Sequence, residues 1–152
     1  MPFEVTGLIV AAVVLLAATA FGLVKRARDG KLRQPSRSED REVLARLGVD
    51  GATPVTLLQF SSAFCAPCRA TRAICARVAA ETEGVRHIEV DAESHLDEVR
   101  ALGIMRTPTL LIVDAAGRVV RRAAGQPPTR AHLLAAVSEA LTSGSKTVGS
   151  NR

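Results

Sequence analysis

From Val5 to Val24 the chain reads VTGLIVAAVVLLAATAFGLV, 20 residues without a charge, and this run constrains everything that follows it. At about 1.5 Å rise per residue such a helix spans the roughly 30 Å hydrocarbon core of a bilayer. It has no polar face to turn toward water, as a surface helix would. We read residues 1–24 as one transmembrane anchor. The chain has 152 residues, so what remains suffices for one ordinary domain and not for two.

The flanks orient the anchor. Met1 to Glu4 has no Lys or Arg, whereas Lys25, Arg26, Arg28, Lys31 and Arg33 follow directly. The positive-inside rule then puts the C-terminal bulk in the cytoplasm, single-pass. A cleaved signal peptide is the rival reading, because Ala18-Thr19-Ala20 has the small residues of a cleavage site; it lacks the basic n-region.

Net charge is +5, but the residues up to Val49 hold eight basic and five acidic side chains, so +3 belongs to anchor and linker. The remaining +2 lies on a surface with no aromatic stacking platform, which argues against nucleic acid as a partner. The juxtamembrane cluster suits anionic headgroups, or serves only as a topology signal.

Residues 25–37, with Gly30 and Pro35, form a basic linker that cannot bury a core. The folded domain is expected over 38–142. Ser38 can cap a helix carrying Val43, Leu44 and Leu47 on one face, stopped by Gly48. Val55–Phe60 reads as a strand, Pro67–Glu81 as a helix, Val85–Asp91 as a strand, Leu96–Leu102 as a short helix, and Thr109–Val113 as a buried strand. Asp114 to Gly117 turns that strand into Arg118–Ala123, and Thr129–Leu141 closes the domain as a helix. Residues 143–152 are expected to be a disordered tail, beginning near Thr142. This order predicts an α/β fold, a mixed central sheet flanked by helices on both faces.

Cys65-Ala66-Pro67-Cys68 stands at the strand-to-helix junction. There the free N–H groups of the helix N-terminus stabilise an anion, so Cys65 is the candidate thiolate nucleophile. Cys68, about one turn further in, is close enough to close a small disulfide ring and is the candidate resolving thiol. The pair can pass through a mixed disulfide with no metal or organic cofactor. A Cys-x-x-Cys is also half of a zinc site, which needs two more ligands. The third sulfur, Cys75, lies about 10 Å from Cys68 along the same helix, too far to join that site, and reads as a small buried apolar residue.

The stretch FSSAFCAPCRA resembles the active-site segment of the thioredoxin family, and Gly103-Ile-Met-Arg-Thr-Pro-Thr109 resembles that family's cis-proline segment. The resemblance runs from about Val55 to Leu141 and takes in Asp91, the hairpin and Gly125. It implies a thioredoxin-like fold, an active-site loop of Phe64, Ala66 and Pro67, and a cis Thr107–Pro108 bond at which Thr107 offers its backbone to an extended substrate. Proline there can also merely start a strand. It further implies disulfide-containing protein substrates and a thioredoxin reductase or membrane electron donor as partners.

Three residues depart from the family pattern. Phe64 stands where tryptophan is usual, Ala66 replaces glycine, and Gln59 falls where a buried aspartate is common. Gln59 cannot act as the base that deprotonates Cys68, and His87, near a position often held by lysine, is the alternative group titrating near neutrality. The competing functions are a reductase at the cytoplasmic face, an exchange protein working outside the cytoplasm, and a binding module that keeps the fold with weak turnover.

Overall fold

The computed structural model describes residues 2–28 and 40–148. Helix α1 covers Pro2–Arg28. Its segment Gly7–Val24 has mean hydropathy 2.6 and no buried part, and it is the one helix among the described residues long and apolar enough to cross a membrane, a property that N-terminal signal sequences share. Ser38 and most of the basic linker lie outside the described residues, so the cap expected there does too.

The domain begins with helix α2, Asp40–Arg46, whose first turn carries Asp40 and Glu42 and whose last carries Arg46, matching the helix dipole at both ends. Strand β1, Val55–Ser61, leads into helix α3, Ala66–Glu81. Strand β2 is Val85–Asp91, helix α4 is Leu96–Ala101, and strands β3 and β4 are Thr109–Asp114 and Val119–Ala124. Helix α5 runs Arg130–Val148.

The strands line up as β2-β1-β3-β4, with β1 parallel to β2 and antiparallel to β3, and β3 antiparallel to β4. The β3–β4 turn is held by Asp114, whose buried carboxylate accepts from the backbone N–H groups of Ala116 and Arg118.

Every residue of β1 is buried, as a central strand covered on both faces requires. Alternation along it then distributes the core. Val55 and Leu57 pack with Cys75 and Val78 of α3 and with Leu133, Ala136, Val137 and Ala140 of α5. Leu58 and Phe60 face the opposite way, onto Val43, Leu44 and Leu47 of α2 and Leu102 and Ile104 after α4. Burying one such Leu or Phe side chain contributes about 1.5–3 kcal/mol, so these two layers hold the sheet that carries the site. By the same alternation Gln59 falls on the α3 face.

The C-terminus corrects one expectation. The closing helix continues seven residues past Leu141 to Val148, so 142–148 is helical, and the rest of the expected tail, 149–152, lies outside the described residues. No proline interrupts it, a docked helix propagates cheaply once nucleated, and the Thr142 hydroxyl is satisfied by the Ser138 carbonyl at 2.8 Å.

Candidate functional site

Chain direction builds the site at the end of β1. The strand ends at Ser61, three residues form a loop, and Cys65 becomes the N-cap of α3. The amide N–H of Cys68 points back at Cys65 Sγ over 3.2 Å, so the sulfur takes one of the helix's free donors. Pro67 occupies the first turn, where its missing N–H costs nothing. Cys65 and Cys68 are joined by a disulfide. Cys65 is partly exposed while Cys68 is buried, an asymmetry that lets only one sulfur meet an incoming reagent.

The Thr107–Pro108 bond is cis, as the resemblance implied. The Thr107 and Ser62 hydroxyls are 2.9 Å apart, which joins the loop leading into Cys65 to the residue before the proline. Beyond it, the Pro108 carbonyl accepts from Gly125 N–H at 2.8 Å, and Thr109 Oγ1 donates to the Arg106 carbonyl at 2.7 Å. Phe64 and Met105 stand out in solvent, 101% and 90% exposed, on those two loops. Apart from them, Leu96 is the exposed large apolar side chain of the described domain, so the apolar surface available to a partner is concentrated here.

Beneath Cys68 lies a polar layer. Gln59 is fully buried and its Nε2 donates to the Cys68 carbonyl at 2.9 Å and to Ser61 Oγ at 2.8 Å. The carbonyl only accepts, which fixes the amide's orientation and turns Oε1 toward His87 Nε2, 3.2 Å away. His87 therefore donates through Nε2–H. Burial holds its imidazole below the ordinary histidine pKa, so it is neutral at pH 7; the nearby Glu89 charge raises it less and Arg72 adds to the lowering. The resemblance placed His87 near the Gln59 position, and the structure puts the two side chains in hydrogen-bond contact.

Ser61, which sequence reasoning missed, extends the layer outward. Its hydroxyl takes the Gln59 amide and bonds the Glu89 carboxylate, which Arg72 of α3 grips with Nε at 2.5 Å and Nη2 at 2.7 Å. The Arg72 bonds come first among the causes that hold Glu89 below the ordinary carboxylate range, Ser61 adding to them. Ser61, Ser62, Ala63, Arg72, Glu89 and Asp91 line an open groove of about 410 Å³ beside the loop. The signal for Ser61 was its spacing of two from Gln59 on one strand, which puts both on the α3 face.

Cys75 is buried between the sheet and α3, and desolvation, with the Glu89 charge behind it, pushes its thiol up to about 12. It is inert at neutral pH. Among the described residues no three His, Cys, Asp or Glu side chains converge as metal ligands.

A redox-capable pair at a helix N-terminus, one sulfur open and one buried, with a cis-proline segment bonded to its loop, defines a protein of the dithiol–disulfide exchange class. The chain belongs to the thioredoxin family, whose model matches residues 46–139. Similar solved structures include oxidised mitochondrial thioredoxin 3 from Saccharomyces cerevisiae, with TM-score 0.54 and 13% identity over 64% of this chain and 89% of that one. Chloroplastic thioredoxin z gives TM-score 0.57 at 21% identity, covering 74% of this chain and 96% of its own. A putative thiol:disulfide interchange protein DsbE from Chlorobium tepidum gives 0.52 at 21%, covering 60% and 83%. At these identities the likeness is one of fold. No curated protein matches the chain. The family supports thiol-disulfide oxidoreductase activity in general, on disulfide-containing proteins.

Proposed function

We propose that this protein reduces protein disulfides at the Cys65–Cys68 pair while tethered to a membrane by α1, with its domain in the cytoplasm. The observation that carries the reading is the partly exposed Cys65 at the start of α3, its sulfur bonded to a buried partner and receiving the Cys68 N–H.

In the reduced protein the Cys65 thiolate attacks a substrate disulfide, expelling one substrate thiolate and forming a mixed disulfide. Cys68, having lost its proton, attacks Cys65 Sγ and releases the second substrate thiolate. The substrate gains two electrons, and the protein is left as the Cys65–Cys68 disulfide. A reductase or membrane electron donor returns those electrons. An extended substrate would pair with the Thr107 backbone beside Pro108 and rest on Phe64 and Met105, both exposed. Gln59 and His87 would hold the layer under Cys68 in place, since an amide cannot accept the proton and the imidazole Nε2–H is committed to Gln59.

The tether rests on α1 and its basic flank. A short tether raises the effective concentration of the domain toward partners in the same membrane, to the order of millimolar.

Labelling with a membrane-impermeant maleimide tests orientation. After mild reduction, the active-site thiols should resist labelling in intact cells and react once the membrane is opened. Reaction in intact cells would contradict the cytoplasmic placement and assign the activity to exported proteins. Reduction of insulin by dithiothreitol should be accelerated by the full-length chain; no acceleration would leave a binding module.

A further inference from the structure

The segment that would present Thr107 to substrate is tied at one end to β4 and at the other to Gly125, the residue that follows it. At its start, Arg122 of β4 donates through Nη2 to the carbonyls of Leu102 and Gly103, at 2.7 and 3.0 Å. At its end, the Pro108 carbonyl accepts from Gly125 N–H, three residues after Arg122. Arg122 is opposite Leu111 in the register, and Leu111 belongs to the α2 and α4 face, so the side chain crosses the sheet on that side to reach the end of α4.

Closing α4 does not require it. Leu102 N–H already reaches the Glu98 carbonyl, Gly103 N–H reaches Arg100, and Ile104 N–H reaches Val99 at 2.8 Å, with Gly103 at φ +60 making the stop. The carbonyls Arg122 takes are those of the residues leaving the helix, near the negative end of its dipole. Half-burying a guanidinium carries a desolvation cost, offset by these two carbonyls and by the charge of Asp40 on α2. From there Ile104 to Thr107 run to the cis proline, with Met105 exposed between them.

We propose that Arg122 is a positioning residue for substrate recognition, anchoring the 104–107 segment so that Met105 and the Thr107 backbone meet a protein substrate in the right place. It does not touch the sulfurs. The inference rests on the reading of the pair as a protein-disulfide reductase.

The test uses the full-length chain in detergent micelles with dithiothreitol as reductant. Arg122→Met should raise KM for insulin about tenfold, the size expected when a charge-assisted pair of bonds no longer holds a binding segment. It should leave kcat and the rate with a small aromatic disulfide, which needs no strand pairing, unchanged. Arg122→Lys, which keeps the stem and one point charge, should recover part of the loss. An unchanged KM for insulin, or an equal loss on both disulfides, would overturn the proposal. Where Arg122→Met fails to fold, Arg122→Lys decides alone: a several-fold KM rise with kcat kept supports the anchor, and wild-type KM overturns it. Failure of the unmodified chain on both disulfides would instead sink the reductase reading.

Discussion

A Cys68→Ser chain is expected to halt after the first half of its reaction, leaving the protein joined to its substrate through Cys65. Serine keeps the size and burial of the side chain but cannot displace the substrate sulfur, so turnover should fall at least about a thousandfold. Cys65→Ser should lose turnover equally and form no adduct, because Cys68, at 1% exposure, cannot meet an external disulfide. Cys75 cannot substitute, being buried with its thiol pushed up to about 12. Mass spectrometry of the trapped species under non-reducing conditions separates the two variants. An adduct through Cys68 or Cys75, or none from Cys68→Ser, would contradict the assignment of roles.

The second large effect concerns the proton of Cys68. No carboxylate lies where Gln59 stands, Glu89 is held ionised by Arg72 and engaged with Ser61, and His87 commits Nε2–H to Gln59. Resolution of the mixed disulfide should therefore follow the fraction of Cys68 thiolate, rising about tenfold per pH unit while the thiol stays mostly protonated. Aspartate at position 59 would be fully buried and so raised toward neutrality by desolvation, the range of an effective general base. Gln59→Asp is expected to speed resolution at pH 7 by at least about tenfold and to flatten the profile, general bases contributing about 10²–10⁴. Stopped-flow decay of a preformed mixed disulfide between pH 6 and 9 measures it. A wild-type rate that does not change over that range would remove the proposal.

Where function was legible in the sequence, the reason was local. Cys65-Ala-Pro-Cys68 at a strand end, and a proline opening a buried strand at 108, each sit within a few residues whose period switches there, and the family segments coincide with them. The apolar run before Val24 was legible for the same reason. The missed contributions were long-range. Ser62 meets Thr107 across 45 residues, and Arg122 reaches Leu102 across 20. An arginine in a strand reading VVRRAA looks like any solvated charge until the crossing of the sheet is known. Nothing in the sequence around Met105 marks it as exposed; the loop's course does that. The tail misled for a different reason: Thr, Ser and Gly after Leu141 are weak helix formers, but weak propensity does not end a helix already docked through Leu133, Val137 and Ala140.

The central claim is that Cys65 and Cys68 form a reversible couple with reducing power toward protein disulfides. Equilibrating the full-length chain in micelles against a series of glutathione buffers, and counting free thiols at each ratio, measures it directly. A single two-electron transition confined to Cys65 and Cys68 is expected, at a potential of about −270 mV. A value of about −120 mV would make the protein an oxidant, and a pair that forms no internal disulfide at any ratio would rule out dithiol exchange at this site.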